Sequence, residues 1–310
     1  MRGVVVLGGL NMDLIVETPQ AAGPGETREG TKFSTTPGGK GGNQAVAAAR
    51  ILDSRAPVGL VARVGDDAFG DELRAQLAGA GVDVRHVRED VGADSGVAVI
   101  FIDPVGENSV DAVYGANARC DDQQASDALT ALADASVLLV QQEITPDVTL
   151  EVMHAARDGG ATVILDPAPT REVLPDGFLA AADVLTPNEH EAGDLCGFAV
   201  IDAGSARAAA RQLRAAGPST VIVTLAEAGV WVEAEGISEL VAAPAVDAVA
   251  TVGAGDAFNG GLAAALAQGL DLRVAVRVGV ATGALCVTKP GAQAAMPERA
   301  DVDALLAEDW

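Results

Sequence analysis

The stretch VLLVQQEITPDVTLEVMHAARDGGATVILDP, residues 137–167, places two apolar runs on either side of an amphipathic segment. Each apolar run is nearly continuous, which is typical of a strand that is buried on both faces of a sheet. The segment between them, residues 146–160, has the apolar spacing of a helix. A strand, a helix and a second strand in this order predict parallel strands covered by helices.

The same alternation continues along most of the chain. Apolar runs at VVVLGGL (4–10), VGLVARV (58–64) and TVIVTL (220–225) are separated by helix-like stretches such as DDAFGDELRAQLAGAG (66–81). The pattern predicts an α/β fold with a mostly parallel sheet and helices on both faces. In sheets of this kind, ligands bind beyond the carboxyl ends of the strands.

Two regions interrupt the alternation. Residues 15–36 are polar and extended, and residues 97–114 resemble two strands joined by the turn DPVGEN (103–108). Because neither region contains a predicted helix, we expect them to form a small antiparallel sheet outside the main one. That sheet is either a lid or the edge of a dimer. We expect residues 1–310 as a whole to form a single domain.

Composition excludes several classes of protein. The chain has 44 acidic and 20 basic residues, a net charge of −24, and only three lysines. Such a surface repels nucleic acids and anionic membranes, so we expect neither as a partner. The three cysteines are scattered without metal-ligand spacing, which favours a reducing cytoplasm over a disulfide framework. The first apolar run is too short to cross a membrane.

The segment TVGAGDAFNG, residues 251–260, carries the strongest signal of chemistry. Gly253, Ala254 and Gly255 precede the carboxylate of Asp256, and an apolar helical run follows. The unpaired N–H groups in the first turn of a helix favour anions, and an aspartate beside them can take a proton from a hydroxyl. Taken alone, the segment is equally typical of an ordinary helix start.

Glycines also surround Lys40 in PGGKGGNQAVAAAR, residues 37–50. The chain contains neither the P-loop pattern GxxxxGK[ST] nor the dinucleotide-binding pattern GxGxxG. A dehydrogenase with a dinucleotide site is therefore unsupported. A flexible turn before a helix is the alternative interpretation of this segment.

Two shorter motifs place polar side chains close together. Asn11 and Asp13 in GLNMD project to one side of an extended chain, where they could hold the hydroxyls of a sugar, or they form an Asx turn. Asn188 and Glu191 in TPNEHEA stand three apart at a helix start. They either cap that helix or position Mg²⁺ and phosphate through water.

These features together resemble the ribokinase-like (PfkB) family of carbohydrate kinases, and the resemblance covers nearly the whole chain. The segments that carry it are GGLNMD, PGET (24–27), GGKGGNQAVAAAR, VGDDAFG (64–70), GENSVDAVYGANA (106–118), QQE (141–143), LDPAP (165–169), TPNE and TVGAGDAFNG. GAGD with NxxE is typical of the family as a whole. GGKGxNQA with Asn11 and Asp13 favours the branch that phosphorylates ribose.

The resemblance implies an ATP- and Mg²⁺-dependent kinase that phosphorylates the 5-hydroxyl of D-ribose. Asp256 would be the general base, and Gly253, Ala254 and Gly255 would form the anion hole. The sugar ligands would be Asn11, Asp13, Gly39, Lys40, Asn43 and Glu143. Asn188, Thr224 and Gly229 would bind the nucleotide, and Glu191 would hold Mg²⁺ through water. The two irregular regions would form a lid that closes over the site and pairs two subunits as a homodimer.

The chain departs from the family pattern at three positions. Ala250 and Ala295 stand where the family has side chains that help to bind K⁺, and Ala226 replaces a glycine that faces the nucleotide. Backbone carbonyls alone make a weaker cation site, so we expect weak or absent activation by K⁺.

Other readings remain open at this point. A relative could act on deoxyribose, on a hexose such as fructose, or on a nucleoside such as adenosine. Only nine residues are aromatic, which disfavours a site for a nucleoside base. A sugar-sensing protein that keeps the fold without catalysis is a further alternative, which the intact GAGD and NxxE motifs disfavour.

Overall fold

A computed structural model describes residues 2–20, 22–52, 56–104, 108–308 and 310. The strands are β1 (Gly3–Leu7), β2 (Asn11–Glu17), β3 (Lys32–Gly38), β4 (Val58–Gly65), β5 (Asp83–Asp90), β6 (Gly96–Ile102), β7 (Asn108–Val113), β8 (Ala135–Val140), β9 (Thr162–Leu165), β10 (Val184–Leu185), β11 (Thr220–Thr224), β12 (Val230–Ala234) and β13 (Ile237–Val241). The helices are α1 (Lys40–Ile51), α2 (Ala68–Gly79), α3 (Asp122–Leu132), α4 (Pro146–Asp158), α5 (Glu189–Cys196), α6 (Ala203–Ala215), α7 (Ala254–Ala267), α8 (Leu272–Cys286) and α9 (Arg299–Leu306). Within the described ranges, no helix combines the length and the apolarity that crossing a membrane requires.

The main sheet has nine strands in the order β13-β12-β11-β10-β9-β8-β1-β4-β5. The strands from β11 to β5 are parallel to their neighbours, whereas β12 and β13 pair antiparallel at one edge. Helices α1, α2, α7, α8 and α9 bury one face and α3 to α6 bury the other. The predicted α/β fold, with a mostly parallel sheet and helices on both faces, is confirmed.

The small sheet has the order β3-β2-β6-β7. The outer pairs are antiparallel, but β2 and β6 run parallel over seven residue pairs, so the expectation of a wholly antiparallel sheet is wrong. The parallel pairing of β2 with β6 follows from the strand directions in the main sheet. Because β1 and β5 run in the same direction there, the chain enters β2 and β6 in the same direction too. In the predicted turn 103–108, residues 105–107 lie outside the described residues.

Helices α1 and α7 pack unusually close to each other at Gly260. A Cβ atom at Gly260 would lie 2.4 Å from the Cβ atom of Ala47 and 2.8 Å from the carbonyl oxygen of Gln44. Only a residue without a side chain allows this approach. The contact places the first turn of α1 beside the first turn of α7.

We predict that Gly260→Ala destabilises the protein by about 1–3 kcal/mol, because the methyl group overpacks the contact between α1 and α7. Gly79→Ala is the control, since Gly79 is the last residue of α2 and no atom outside its own helix backbone and chain neighbours lies within 4 Å of its Cβ position. That variant should be neutral or more stable by about 0.5–1 kcal/mol. Urea unfolding measures both. Equal stabilities for the two variants would contradict the steric account.

Candidate active site

The candidate site residues lie at the carboxyl edge of the main sheet. Residues 8–10 follow β1, residues 141–143 follow β8, Asp166 follows β9 and Asn188 follows β10. The first turn of α7 and the first turn of α1 face the same edge. The topology thus brings together residues that lie as far apart in the chain as Gly8 and Asp256, as parallel sheets do at their ligand-binding edge.

Asp256 lies in the first turn of α7 and is only 6% exposed. Its Oδ2 atom accepts a hydrogen bond of 2.8 Å from Nδ2 of Asn43, and its Oδ1 atom accepts one of 3.0 Å from Nε2 of Gln44. The two amides of α1 therefore fix the orientation of the carboxylate.

Gly253 begins α7 with a φ of 80°, a left-handed conformation that favours glycine. On the Cβ side of Gly255 there is open space, with no heavy atom within 4 Å. An anion can thus approach the N–H groups at the start of α7, which carry the positive end of the helix dipole. The predicted anion hole of Gly253, Ala254 and Gly255 lies at this helix start, where the N–H of Ala254 donates to the carbonyl oxygen of Thr251 at 3.3 Å. Phosphate binding there stays a prediction.

Glu143 joins the segments that carry the predicted sugar ligands. Its Oε2 atom accepts a 2.8 Å hydrogen bond from the backbone N–H of Lys40, and Nδ2 of Asn11 lies 3.5 Å from its Oε1 atom. Asp13 is also buried, and a Cβ atom on Gly38 would lie 2.3 Å from its Oδ2. Gly39, with a φ of 82°, forms the turn into α1. The structure therefore brings all six predicted sugar ligands to one place.

The site holds several carboxylates around one ammonium. Burial raises the pKa of both Asp13 and Glu143 to about 7, and the Asp256 carboxylate adds to the effect in both cases. Burial by itself would lower the pKa of Lys40, but the carboxylates of Asp166, Asp256 and Glu143 hold it above its usual range. The Nζ atom of Lys40 lies 3.8 Å from Oδ2 of Asp166. Lys40 is thus a half-buried cation held in its charged form by the surrounding carboxylates.

The predicted nucleotide residues lie next to one another around β11. Asn188 caps α5, and Glu191 completes a capping box: the N–H of Glu191 donates to Oδ1 of Asn188 at 2.9 Å, and the N–H of Asn188 donates to Oε2 of Glu191 at 2.8 Å. Asn188 also forms a β-bridge with Thr224. The helix-cap interpretation of these two residues is therefore realised, and it leaves Oε1 of Glu191 for another contact.

Glu191 is the residue that would hold Mg²⁺ through water. Burial raises the pKa of its carboxyl, and the charges of Lys40 and Asp256 act on it. Mg²⁺ keeps several of its waters and needs only one or two carboxylates beside the phosphates of its substrate. In the part of the chain that the structure describes, no group of three or more His, Cys, Asp or Glu side chains could hold a metal directly.

The three departures from the family pattern are Ala226, Ala250 and Ala295, and the first of them affects the backbone. Ala226 has a φ of 46°, a left-handed conformation that costs an L-residue roughly 1–2 kcal/mol and that a glycine would adopt without strain. Gly229, with a φ of 100°, lies so close to β13 that a Cβ atom would be 2.1 Å from the carbonyl oxygen of Val241. Ala295 is fully buried, and the N–H of Ala250 donates to the carbonyl of Val287 at 3.1 Å. Neither alanine side chain offers an oxygen to a cation.

Sequence reasoning gave no role to four polar residues at this edge: Gln44, Asn117, Gln141 and Asp166. Nε2 of Gln44 donates to Oδ2 of Asp166 at 2.8 Å as well as to Asp256, and Nε2 of Gln141 donates to Oε1 of Gln44. Asn117 contacts Leu10 and Asn11. All four lie in motifs that carry the family resemblance, which was the only available signal, because their partners are distant in sequence.

A buried carboxylate beside a helix N-terminus, with amide and carboxylate groups around it, is the arrangement expected of a phosphotransferase that acts on a hydroxyl group. The chain belongs to the PfkB family of carbohydrate kinases, whose model matches residues 1–299. It is 37% identical to the ribokinase of Bacillus subtilis over 99% of this chain and 100% of that protein.

Two further relatives bear on the substrate. The structure of Arabidopsis thaliana ribokinase complexed with ribose and ATP matches with a TM-score of 0.90 and 31% identity, over 99% of both chains. The deoxyribokinase of Salmonella typhi is 34% identical over 95% of both chains. The family predicted from the motifs is confirmed.

We predict that the ligand-free protein loses stability as the pH rises from 5 to 8. The pKa values of Asp13 and Glu143 are about 7 in the folded state and near their ordinary values of 3.8 and 4.5 in the unfolded chain. Folding therefore takes up protons in this window, and the stabilisation is lost as those protons leave.

The double variant Asp13→Asn/Glu143→Gln tests this account. It should remove much of the slope of the urea midpoint against pH, while Asp166, whose pKa is about 8, retains its share. An unchanged slope in the double variant would show that these two carboxyls do not titrate as described.

Proposed function

We propose that the protein transfers the γ-phosphoryl group of ATP to the 5-hydroxyl of D-ribose and forms D-ribose 5-phosphate. The observation that carries the proposal is the grouping of candidate sugar ligands near Asp256: Asn43 donates to its carboxylate, and its charge acts on Asp13 and Glu143. Groups that bind sugar hydroxyls thereby lie next to a base and next to an anion hole.

Asp256 acts as the general base in this proposal. Asn43 and Gln44 hold its two oxygens in place, so the carboxylate needs no reorganisation when it takes the proton of the attacking hydroxyl. The N–H groups of Gly253, Ala254 and Gly255 stabilise the charge that develops on the transferred phosphoryl group. The ammonium of Lys40 adds a positive charge near the carboxylate of Asp256.

The nucleotide binds on the side of β11. Asn188, Thr224 and Gly229 lie along it, and Glu191 holds Mg²⁺ through water. Bound Mg²⁺ neutralises charge on the phosphate oxygens. Because the protein carries a net charge of −24, local backbone dipoles, Lys40 and the metal ion must supply the attraction for ATP.

The sugar site discriminates between substrates because a buried donor or acceptor that finds no sugar hydroxyl costs binding free energy. Asn11, Asp13, Gly39, Lys40, Asn43 and Glu143 present donors and acceptors, several of them buried. A sugar that lacks one hydroxyl leaves such a group without a partner, which lowers its binding. The deoxyribokinase relative favours 2-deoxyribose as the second candidate substrate.

The small sheet forms a lid in this proposal, with the regions 15–36 and 97–114 closing over the sugar as part of one kinase domain. The outer face of the lid pairs two subunits as a homodimer. We also expect the protein to work in the cytoplasm, without nucleic acid or membrane as a partner. Phe33 and Val113 are exposed apolar residues on the face of the small sheet opposite to Asn11 and Asp13, which supports the pairing.

We predict that Asp256→Asn lowers kcat with ribose and ATP by about 10²–10⁴-fold, because the substrate hydroxyl loses its base. Calorimetry should show ribose binding to the variant with little change in affinity. Asp247→Asn, at an exposed position between β13 and α7, is the control and should retain full turnover.

A sugar panel with ATP accompanies that experiment. Turnover of adenosine without turnover of ribose would overturn the choice of substrate. Unchanged turnover in Asp256→Asn would remove Asp256 from its role as base.

We also predict that K⁺ activates the enzyme weakly or not at all, because Ala250 and Ala295 supply no side-chain oxygen. Initial rates in potassium chloride and in tetramethylammonium chloride at equal ionic strength measure the effect. Activation by K⁺ of about tenfold or more, which corresponds to about 1.4 kcal/mol in the barrier, would contradict the prediction.

A further inference from the structure

Asn117 lies outside the predicted site, yet its side chain is tied directly to it. The residue belongs to the 3₁₀ turn Gly115–Arg119, which follows β7 of the small sheet, and it is fully buried. The backbone N–H of Leu10 donates to its Oδ1 atom at 2.9 Å. Its Nδ2 atom donates to the carbonyl oxygen of Leu10 at 2.8 Å and to Oδ1 of Asn11 at 2.9 Å.

These contacts determine which way the amide of Asn11 faces. A backbone N–H can only donate, so the atom of Asn117 that faces the N–H of Leu10 must be its oxygen. The other atom of that amide is then the nitrogen, and the atom of Asn11 that it contacts must be an oxygen. Nδ2 of Asn11 is consequently directed towards Glu143, whose Oε1 lies 3.5 Å away.

Gly96 packs closely against this pair of amides. A Cβ atom on Gly96, the first residue of β6, would lie 2.2 Å from Oδ1 of Asn11 and 2.3 Å from Nδ2 of Asn117. A side chain at position 96 therefore has no room beside the two amides. The hydrogen bonds between Asn117, Leu10 and Asn11 thus join the base of the small sheet to the loop that follows β1.

We propose that Asn117 is a positioning residue that keeps Asn11 as a hydrogen-bond donor to the sugar. This inference rests on the proposed sugar kinase activity. A sugar hydroxyl beside Asn11 and Glu143 then accepts from the amide and donates to the carboxylate, which uses both capacities of the hydroxyl. Without Asn117 the amide of Asn11 loses its partner on the other side and is free to turn, so it is no longer held as a donor to the sugar.

A double-mutant cycle tests the proposal. Asn117→Ala should raise the KM for the sugar by about tenfold, with the KM for ATP changed by less than about twofold. In an Asn11→Ala background the same substitution should change the KM for the sugar by less than about twofold, because Asn117 acts through Asn11. An equal increase in both backgrounds, or an equal increase in the KM for ATP, would overturn the proposal.

Two further variants separate positioning from folding. Asn117→Asp keeps the shape and the acceptor for Leu10 but sets an oxygen against Oδ1 of Asn11, so it should raise the KM for the sugar at least as much as alanine does. Gln124→Ala removes another fully buried amide, one that contacts Arg63, and should lower the melting temperature without changing the KM for the sugar. A normal KM for the sugar in Asn117→Asp would overturn the proposal.

Turnover of the wild-type protein with ribose tests the proposed function separately. The cycle is measured with whichever pentose or hexose of a panel the wild-type enzyme phosphorylates best. Failure with ribose alone would therefore reject the proposed substrate and leave the role of Asn117 to be decided by the four proteins of the cycle.

Discussion

The two hydrogen bonds that α1 donates to Asp256 are the interaction on which the site depends. Asn43 and Gln44 are more than 200 positions away from Asp256 in the chain. The bonds form only because the two helices approach closely, and Gly260 permits that approach. The apolar contact of the helices and the polar contact at their first turns are therefore one structural unit. A substitution that separates the helices would disturb the base without touching it.

Charge imposes the second constraint. The carboxyls of Asp13, Glu143 and Asp166 have raised pKa values, and Lys40 is held in its charged form by the surrounding carboxylates. Burying so many acidic groups together is unfavourable for the ligand-free fold. Protonation of these carboxyls relieves part of this cost. The cluster of buried carboxyls therefore lowers the folding stability of the ligand-free protein, as functional sites commonly do.

The sequence predicted the main sheet well because alternating apolar runs report burial directly. Its antiparallel edge, β12 and β13, went unpredicted, since short strands after residue 229 have no helix between them. The parallel pairing of β2 with β6 depends on where β1 and β5 lie in the main sheet, which local patterns do not encode. The candidate residues came from motifs. Gln44 and Asn117 were missed as functional residues because each acts on a partner that only the folded chain brings near.

The path of the chain from β1 into β2 has a mechanical consequence. Asn11 and Asp13 lie in the first half of β2, at the end of the small sheet nearest to the main sheet. The seven residues of β2 extend about 23 Å. A rotation of about 15° at the base of the strand would move its far end by about 6 Å and the amide of Asn11 by less than about 1 Å. The far end of β2 can therefore be displaced by several ångströms while the amide of Asn11, at the base of the strand, stays nearly in place.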